Sequence, residues 1–154
     1  MIIKNYSVVY EKPGRNLALV KESAHQYQAD LLTSEDVFQA MRALYHAEWL
    51  PDEHVWIIAV GTGLKSRAVF EISHGSGTGS LVPIREIMRD LLLVDATGFF
   101  LVHNHPSGDI TPSKEDDEIT QHIKNAADIM RIMFLDHLII GCGDYYSYHH
   151  EGRI

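Results

Sequence analysis

The sequence predicts one domain of the α/β class, in which helices cover a mixed β-sheet. Three observations support this prediction. The chain has 154 residues, which suits a single domain with a substantial buried core. Segments with strand and helix patterns alternate along it. Two short apolar runs, residues 55–60 and 98–102, have the length of buried strands rather than of helices.

An N-terminal extension is predicted over residues 1–33. It contains short strand candidates at residues 7–10 and 17–20, which are expected to pack on the main domain. The main domain is expected to span residues 34–154.

The first helix is predicted to begin at Thr33 or Ser34, because a hydroxyl side chain caps a helix and acidic residues follow in the first turn. After the strand at 55–60, residues 66–73 partly alternate in polarity, which indicates a hairpin partner. A glycine-rich loop at 75–79 follows, and it lacks the spacing of a phosphate-binding loop.

The C-terminal half continues the alternation. A second helix is predicted from Pro83, since proline favours the first turn of a helix. Its inward-facing residues are expected to be Ile84, Ile87, Met88, Leu91 and Leu92. The later elements follow in order as a strand at 98–102, a third helix from Ser113 to about Met130, and strands at 138–140 and 145–148.

Composition limits the function classes. The net charge of −8 argues against nucleic acid as a partner, because such binding depends on phosphate neutralisation. The single cysteine, Cys142, excludes an intramolecular disulfide and a cysteine-rich zinc site, and it fits a reducing cytoplasm. The N-terminus lacks the apolar core of a signal peptide, and no run approaches the roughly 20 apolar residues of a membrane span. We therefore expect a cytoplasmic protein without a membrane partner, and the oligomeric state stays open.

The most informative motif follows the strand at 98–102. His103 and His105 lie two positions apart, so an extended backbone directs both imidazoles to the same face. A turn rich in proline and glycine then allows Asp116, in the first turn of the third helix, to return over the strand end. Two neutral nitrogens and one carboxylate suit Zn²⁺ better than Mg²⁺ or Ca²⁺. The motif predicts a three-ligand zinc site with a position open for water, as in hydrolytic enzymes.

The same residues permit a structural interpretation. Ser113 and Asp116 have the spacing of a helix N-cap box, in which the acidic residue also complements the helix dipole. The serine can serve both arrangements, whereas we expect that Asp116 cannot easily face both the cap and the metal. From the residues alone, both interpretations remain open.

A zinc hydrolase also needs a general base. No H-E-x-x-H motif is present, so a thermolysin-like arrangement is excluded. The candidate glutamates are Glu48, Glu53, Glu71 and Glu86. On the residues alone, Glu53 fits an ordinary solvated carboxylate at a strand end. The Asp136-His137 pair is either a buried structural pair or a means of orienting a ligating histidine.

These motifs resemble the RadC-like family of the JAB/MPN/JAMM metalloprotease-like superfamily. The matching positions are His103-Asn104-His105-Pro106-Ser107-Gly108, Pro112-Ser113, Asp116, Thr120 and Asp136-His137. The resemblance covers approximately residues 34–152. Longer RadC proteins carry a helical N-terminal region associated with DNA-repair naming, and residues 1–32 are too short and too extended for it. The chain therefore resembles the short, stand-alone members.

The resemblance implies a cytidine-deaminase-like three-layer α/β/α fold. It implies zinc held by His103, His105 and Asp116, with Ser113 stabilising the oxyanion of a tetrahedral intermediate. Glu53 occupies the place of the superfamily's glutamate base. The expected function is zinc-dependent hydrolysis of peptide or isopeptide bonds in an unidentified protein or peptide substrate. The alternatives are a catalytically silent metal-containing binding module and a DNA-repair-associated accessory protein.

Overall fold

The computed structural model describes residues 1–11, 16–28, 30–75 and 82–154. Within these residues the α-helices and β-strands are, in chain order, β1 (Ile2–Glu11), β2 (Asn16–Gln26), α1 (Ser34–Tyr45), β3 (Glu53–Val60), β4 (Ser66–Gly75), α2 (Ile84–Leu93), β5 (Gly98–Asn104), α3 (Lys114–Met130), β6 (Met133–Ile140) and β7 (Tyr145–Ser147).

The strands form one mixed sheet in the order β2-β1-β4-β3-β5-β6-β7. The pairs β1–β2, β4–β3, β3–β5 and β6–β7 are antiparallel, whereas β1–β4 and β5–β6 are parallel. The predicted α/β class with a mixed sheet is confirmed. The strand that carries His103, β5, lies near the middle of the sheet, with β3 on one side and β6 on the other.

Helices cover both faces of the sheet. Because side chains alternate between the faces of a strand, β3 contributes to two separate cores. Trp56, Ile58 and Val60 pack in the core that contains the apolar residues of α1. Ile57 and Ala59 pack in the opposite core, which contains the apolar residues of α2 and α3. The result is a three-layer α/β/α arrangement, in which α1 covers one face of the sheet and α2 and α3 cover the other.

Several predicted elements are confirmed. Thr33 is the N-cap of α1, and Ser113 is the N-cap of α3, which ends at Met130 as expected. β4 is the antiparallel hairpin partner of β3. Apart from Gly75, which ends β4, the predicted glycine-rich loop at residues 75–79 lies outside the described residues.

Strand lengths differ from the predictions at both ends of the chain. β1 and β2 are longer than the predicted segments and pair from Ile2 opposite Gln26 to Glu11 opposite Asn16. β6 begins at Met133, five residues before the predicted strand. The apolar pattern indicates a shorter strand because Asp136 and His137 are polar. Both are nevertheless buried within β6 and hydrogen-bonded.

The inward orientation predicted for Leu92 is wrong. Leu92 is 54% exposed, whereas Ile87 and Leu91 are fully buried. Successive residues of an α-helix are rotated by about 100°. Leu92 therefore points away from the stripe centred on Ile87 and Leu91, close to the end of α2 at Leu93.

No helix in the described part of the chain, residues 1–11, 16–28, 30–75 and 82–154, combines the length and the apolar character that crossing a bilayer requires.

Candidate metal centre

Three elements bring the motif residues together. His103 lies at the end of β5, opposite Ile139 of β6. His105 follows directly, and its backbone N–H donates to the carbonyl of Ile140 at 2.8 Å, which extends the pairing beyond the strand. Asp116 lies in the first turn of α3. His103 and Asp116 are buried and His105 is partly exposed, so the cluster opens to solvent on the side of His105.

The distances within the cluster suit one small cation. His103 Nε2 lies 3.0 Å from His105 Nε2 and 3.2 Å from Asp116 Oδ1, and His105 Nε2 lies 3.6 Å from Asp116 Oδ2. Ligands about 2.05 Å from a tetrahedral zinc ion are separated from one another by roughly 3.3 Å. The ligand set and its spacing therefore fit such an ion. Among the described residues, these three form the one group of histidine, cysteine and acidic side chains close enough to hold a metal.

Asp116 both caps α3 and faces the imidazoles. Its Oδ2 accepts hydrogen bonds from the Ser113 backbone N–H at 2.7 Å and the Ser113 hydroxyl at 2.6 Å. Its Oδ1 is directed at His103. Asp116 was expected not to combine the cap easily with the metal site. In the structure it caps α3 through Oδ2, which also lies 3.6 Å from His105 Nε2, while Oδ1 faces His103.

The electrostatics of the cluster favour a cation. Burial raises the pKa of the Asp116 carboxyl, but the imidazoles of His103 and His105, which hydrogen-bond to the carboxylate when they are protonated, outweigh that effect and hold the pKa far below its usual range. Hydrogen bonding to Asp116 raises the pKa of His105, and the carbonyl of Asp109 adds to the effect. The carboxylate therefore stays ionised and attracts either protons or a metal ion to the imidazoles.

His105 is held in one orientation by a backbone carbonyl. Its Nδ1 donates to the carbonyl oxygen of Asp109 at 2.7 Å. In the neutral imidazole this leaves the lone pair on Nε2, the atom that faces His103 and Asp116. Sequence reasoning missed this contact, because no pattern marks which carbonyl of a turn will face a side chain.

Glu53 lies at the first position of β3, beside the cluster. Val55 is opposite His103 in the antiparallel pair of β3 and β5. Glu53 lies two residues before Val55, so its side chain is on the same face of the sheet as those of Val55 and His103. Glu53 is half-buried, and after Asp116 and Asp109 its charge also contributes to raising the pKa of His105.

The competing glutamates have other partners or positions. Glu48 pairs with Arg42 at 3.0 Å, and Glu71 contacts His54 at 2.7 Å. Glu86 lies in the first turn of α2. Of the four glutamates, Glu53 is the one on the strand that pairs with β5, two residues before the partner of His103.

The Asn104 side chain fixes the start of β3 against the end of β5. Its Oδ1 accepts the backbone N–H of His54 at 2.8 Å, and its Nδ2 donates to the carbonyl of Asp52 at 3.0 Å. Asn104 is 1% exposed. These two bonds bracket Glu53 from both sides along the backbone. The asparagine was part of the recognised motif, but this contact depends on a strand 50 residues away in the chain.

Asp136 and His137 have separate partners. The Asp136 carboxylate accepts hydrogen bonds from the hydroxyls of Ser34 and Ser147, away from the cluster. His137 contacts His103, with its Nε2 2.9 Å from His103 Nδ1. Burial, followed by the charge of His103, holds the pKa of His137 well below its usual value. Of the two, His137 is therefore the residue in contact with the cluster.

Ser113 is exposed, and its hydroxyl is engaged within the cap. Its Oγ donates to Asp116 Oδ2 at 2.6 Å and accepts from the Asp116 backbone N–H at 3.1 Å. The structure thus assigns Ser113 a contact with one of the three clustered side chains. Its role toward an oxyanion stays a prediction, as does the role of Glu53 as a base.

The fold and the cluster together define an α/β/α protein with a candidate mononuclear metal centre at the end of a central strand. The model of the RadC-like JAB domain family matches residues 31–153. The chain belongs to this family, and the resemblance seen in the motif is confirmed.

Similar proteins are known from diverse bacteria. A UPF0758 protein of Flavobacterium johnsoniae is 37% identical over 122 residues, which are 79% of this chain and 52% of the relative. A UPF0758 protein of Thermotoga maritima is 37% identical over 106 residues, 69% of this chain and 48% of the relative. One of Pelobacter propionicus is 36% identical over 134 residues, 84% of this chain and 58% of the relative. The chain spans about half the length of these curated relatives.

Proposed function

We propose that this protein is a zinc-dependent hydrolase of peptide or isopeptide bonds. The observation that carries the proposal is the cluster of His103, His105 and Asp116, in which each imidazole Nε2 lies within 3.6 Å of the other imidazole and of a carboxylate oxygen. Glu53 is on the same face of the sheet as His103. Membership of the RadC-like JAB domain family supports it. The two imidazoles favour zinc over magnesium or calcium, which prefer shells of oxygen ligands.

The chemistry needs a metal and two groups from the chain. Zinc held by the cluster would supply Lewis acidity, which makes water more acidic and polarises a carbonyl. Glu53 would take a proton from the attacking water and return it to the leaving amine. The Ser113 hydroxyl would turn from Asp116 to donate to the developing oxyanion, a contribution of about 2.7–4 kcal/mol when such a donor is removed from a protease.

The substrate side is part of the same proposal. The partner is an unidentified protein or peptide. An extended segment of it would present a backbone or isopeptide carbonyl to the open side of the cluster, beside His105. The single cysteine suits a cytoplasmic location. The net charge of −8 disfavours nucleic acid as the partner.

Glu53→Gln tests the assignment of the base. We expect this variant to bind zinc as the wild type does, because Glu53 is outside the ligand cluster, and to lose about 10²- to 10⁴-fold in turnover. The measurements are zinc content by elemental analysis and cleavage of a panel of fluorogenic peptides and lysine isopeptides.

Glu71→Gln is the matched control, since Glu71 is a carboxylate on the neighbouring strand β4, opposite Trp56 of β3, and contacts His54. It should cleave at nearly the wild-type rate. Wild-type turnover by Glu53→Gln would show that another group is the base. A zinc-loaded wild type that cleaves nothing in the panel would favour the silent binding module.

A further inference from the structure

A third histidine links the candidate ligand His103 to helix α3. His137 Nε2 lies 2.9 Å from His103 Nδ1, and His137 Nδ1 lies 2.6 Å from Thr120 Oγ1. The Thr120 hydroxyl also donates to the backbone carbonyl of Asp116 at 2.6 Å. The contacts therefore run from one ligand residue, through two other side chains, back to another ligand residue.

The proton positions in this chain of contacts follow from one donor. A hydroxyl has a single hydrogen, and that of Thr120 is used on the carbonyl of Asp116. Thr120 can then only accept from His137, so the hydrogen of a neutral His137 is on Nδ1 and its lone pair is on Nε2. That lone pair accepts the Nδ1 hydrogen of His103. His103 is left with its lone pair on Nε2, the atom that faces His105 and Asp116.

Burial prevents water from replacing any member of the chain of contacts. His103 and Thr120 are each 3% exposed, and His137 is 1% exposed. Tyr148 stacks on the His137 ring, with centroids 4.8 Å apart and an interplanar angle of 9°. A buried donor or acceptor that loses its partner here stays unsatisfied. A substitution at Thr120 is therefore expected to change the proton positions on His137 and His103.

We propose that Thr120 and His137 are positioning residues that hold His103 in the tautomer with a free Nε2 lone pair, so that His103 can bind a metal ion. The opposite tautomer would place a hydrogen on Nε2, between the three ligand atoms. This inference rests on the metal-binding part of the proposed function and not on the hydrolytic part. Groups that orient a metal-ligating histidine through its other nitrogen commonly change metal affinity when they are replaced.

Two pairs of variants test the proposal. Thr120→Val removes the hydroxyl, and Thr120→Ser keeps it. His137→Phe keeps a ring against Tyr148 but has no acceptor, whereas His137→Gln offers a side-chain oxygen near the position of Nε2. The measurements are zinc affinity by competition with a chelator and the His103 tautomer in the metal-free protein by long-range ¹H–¹⁵N NMR.

We expect Thr120→Val and His137→Phe to bind zinc about 10- to 100-fold more weakly than the wild type, with the Nε2–H form of His103 populated. Thr120→Ser and His137→Gln should retain both the affinity and the tautomer. Equal zinc affinity in Thr120→Val and the wild type, with the Nδ1–H form of His103 unchanged, would overturn the proposal.

The test separates this inference from the proposed function. A wild type that binds zinc but cleaves no substrate loses the hydrolase assignment and leaves the affinity comparison intact. A wild type that binds no zinc refutes the metal centre, and with it the purpose assigned to Thr120 and His137. In that case the NMR measurement still decides whether these residues set the His103 tautomer.

Discussion

Asp116 shows how a single side chain can satisfy a structural and a chemical requirement. Its Oδ2 accepts two hydrogen bonds from Ser113, which satisfy donors at the start of α3. Its Oδ1 faces His103. The cap fixes the carboxylate before any metal binds, so a metal ion would meet a preorganised ligand. α1 has a second capping box, formed by Thr33 and Asp36, which contains no histidine.

Removing the Ser113 hydroxyl should affect both stability and metal binding. We expect Ser113→Ala to lower the free energy of unfolding by about 1 kcal/mol, the usual value of an N-cap side chain. It should also weaken zinc binding, since Asp116 Oδ2 loses one of its two donors. Chemical denaturation and chelator competition measure the two effects.

Thr33→Ala is the matched control, because Thr33 caps α1 with the same geometry. It should cost a similar free energy of unfolding and leave zinc affinity unchanged. If Ser113→Ala also leaves zinc affinity unchanged, the cap and the ligand are independent.

Protons and zinc should compete at His105. Hydrogen bonding to Asp116 raises the pKa of His105, so the charged pair stabilises the metal-free protein at low pH, and this stabilisation is lost as the pH rises through the raised pKa. Zinc needs the neutral imidazole. The zinc-induced increase in Tm should therefore be larger at about pH 7.5 than at about pH 5.5, as measured by thermal denaturation. An equal or larger increase at the lower pH would contradict this.

At the scale of elements, the candidate site is built from residues of β3, β5 and α3. β5 carries His103, β3 begins with Glu53 on the same face of the sheet, and the first turn of α3 supplies Asp116. Asn104 joins the ends of β3 and β5 by two hydrogen bonds to backbone atoms. The relative position of Glu53 and the cluster therefore depends on one buried amide.

Asn104→Ala should loosen the start of β3. Two partly buried backbone groups lose their hydrogen-bond partners, at an expected cost of about 0.5–1.5 kcal/mol each in the free energy of unfolding. Turnover should fall even at saturating zinc, because Glu53 loses its fixed position. Urea denaturation and the peptide panel measure these effects.

Asn125→Ala is the control, since Asn125 is an exposed residue of α3 whose side chain contacts Gln121. It should change neither stability nor turnover noticeably. Full activity in Asn104→Ala would show that Glu53 is positioned by other contacts.

Local signals explain what the sequence could predict. The caps at Thr33 and Ser113 are recognisable because a hydroxyl and an acidic residue three positions later interact within one turn. The ligand motif is compact for a similar reason, since its histidines share one strand face. The core of β3 was predicted from the length of its continuous apolar run, and the start of α3 from the cap at Ser113, and both are confirmed.

Contacts between distant segments could not be predicted in this way. The early start of β6 was missed because the polar Asp136 and His137 interrupt the apolar run of the strand, and the hydrogen-bond partners that allow their burial come from other elements. The link between Thr120 and His137 spans 17 residues. A polar residue in an apolar strand thus marks a network, but its partners depend on the packed structure.

At the scale of the whole molecule, the strand order explains why the site lies where it does. β5 lies between antiparallel β3 and parallel β6. Glu53 belongs to β3 and His137 to β6, so the two residues flank the histidines from opposite sides. α3 packs on the face of the sheet that carries the Val55 side chain, and Val55 is the strand partner of His103. The cluster is therefore supported on three sides and open beside His105.

The central claim is that His103, His105 and Asp116 together hold one divalent metal ion. The most direct measurement is elemental analysis of the purified wild type, Asp116→Ala and Asp36→Ala after incubation with zinc and removal of the excess. Asp36 has the corresponding position in the capping box of α1, so its replacement controls for a lost cap. We expect about one zinc ion per chain in the wild type and in Asp36→Ala, and little in Asp116→Ala. A zinc-free wild type, or an Asp116→Ala variant that retains a full equivalent, would contradict the account.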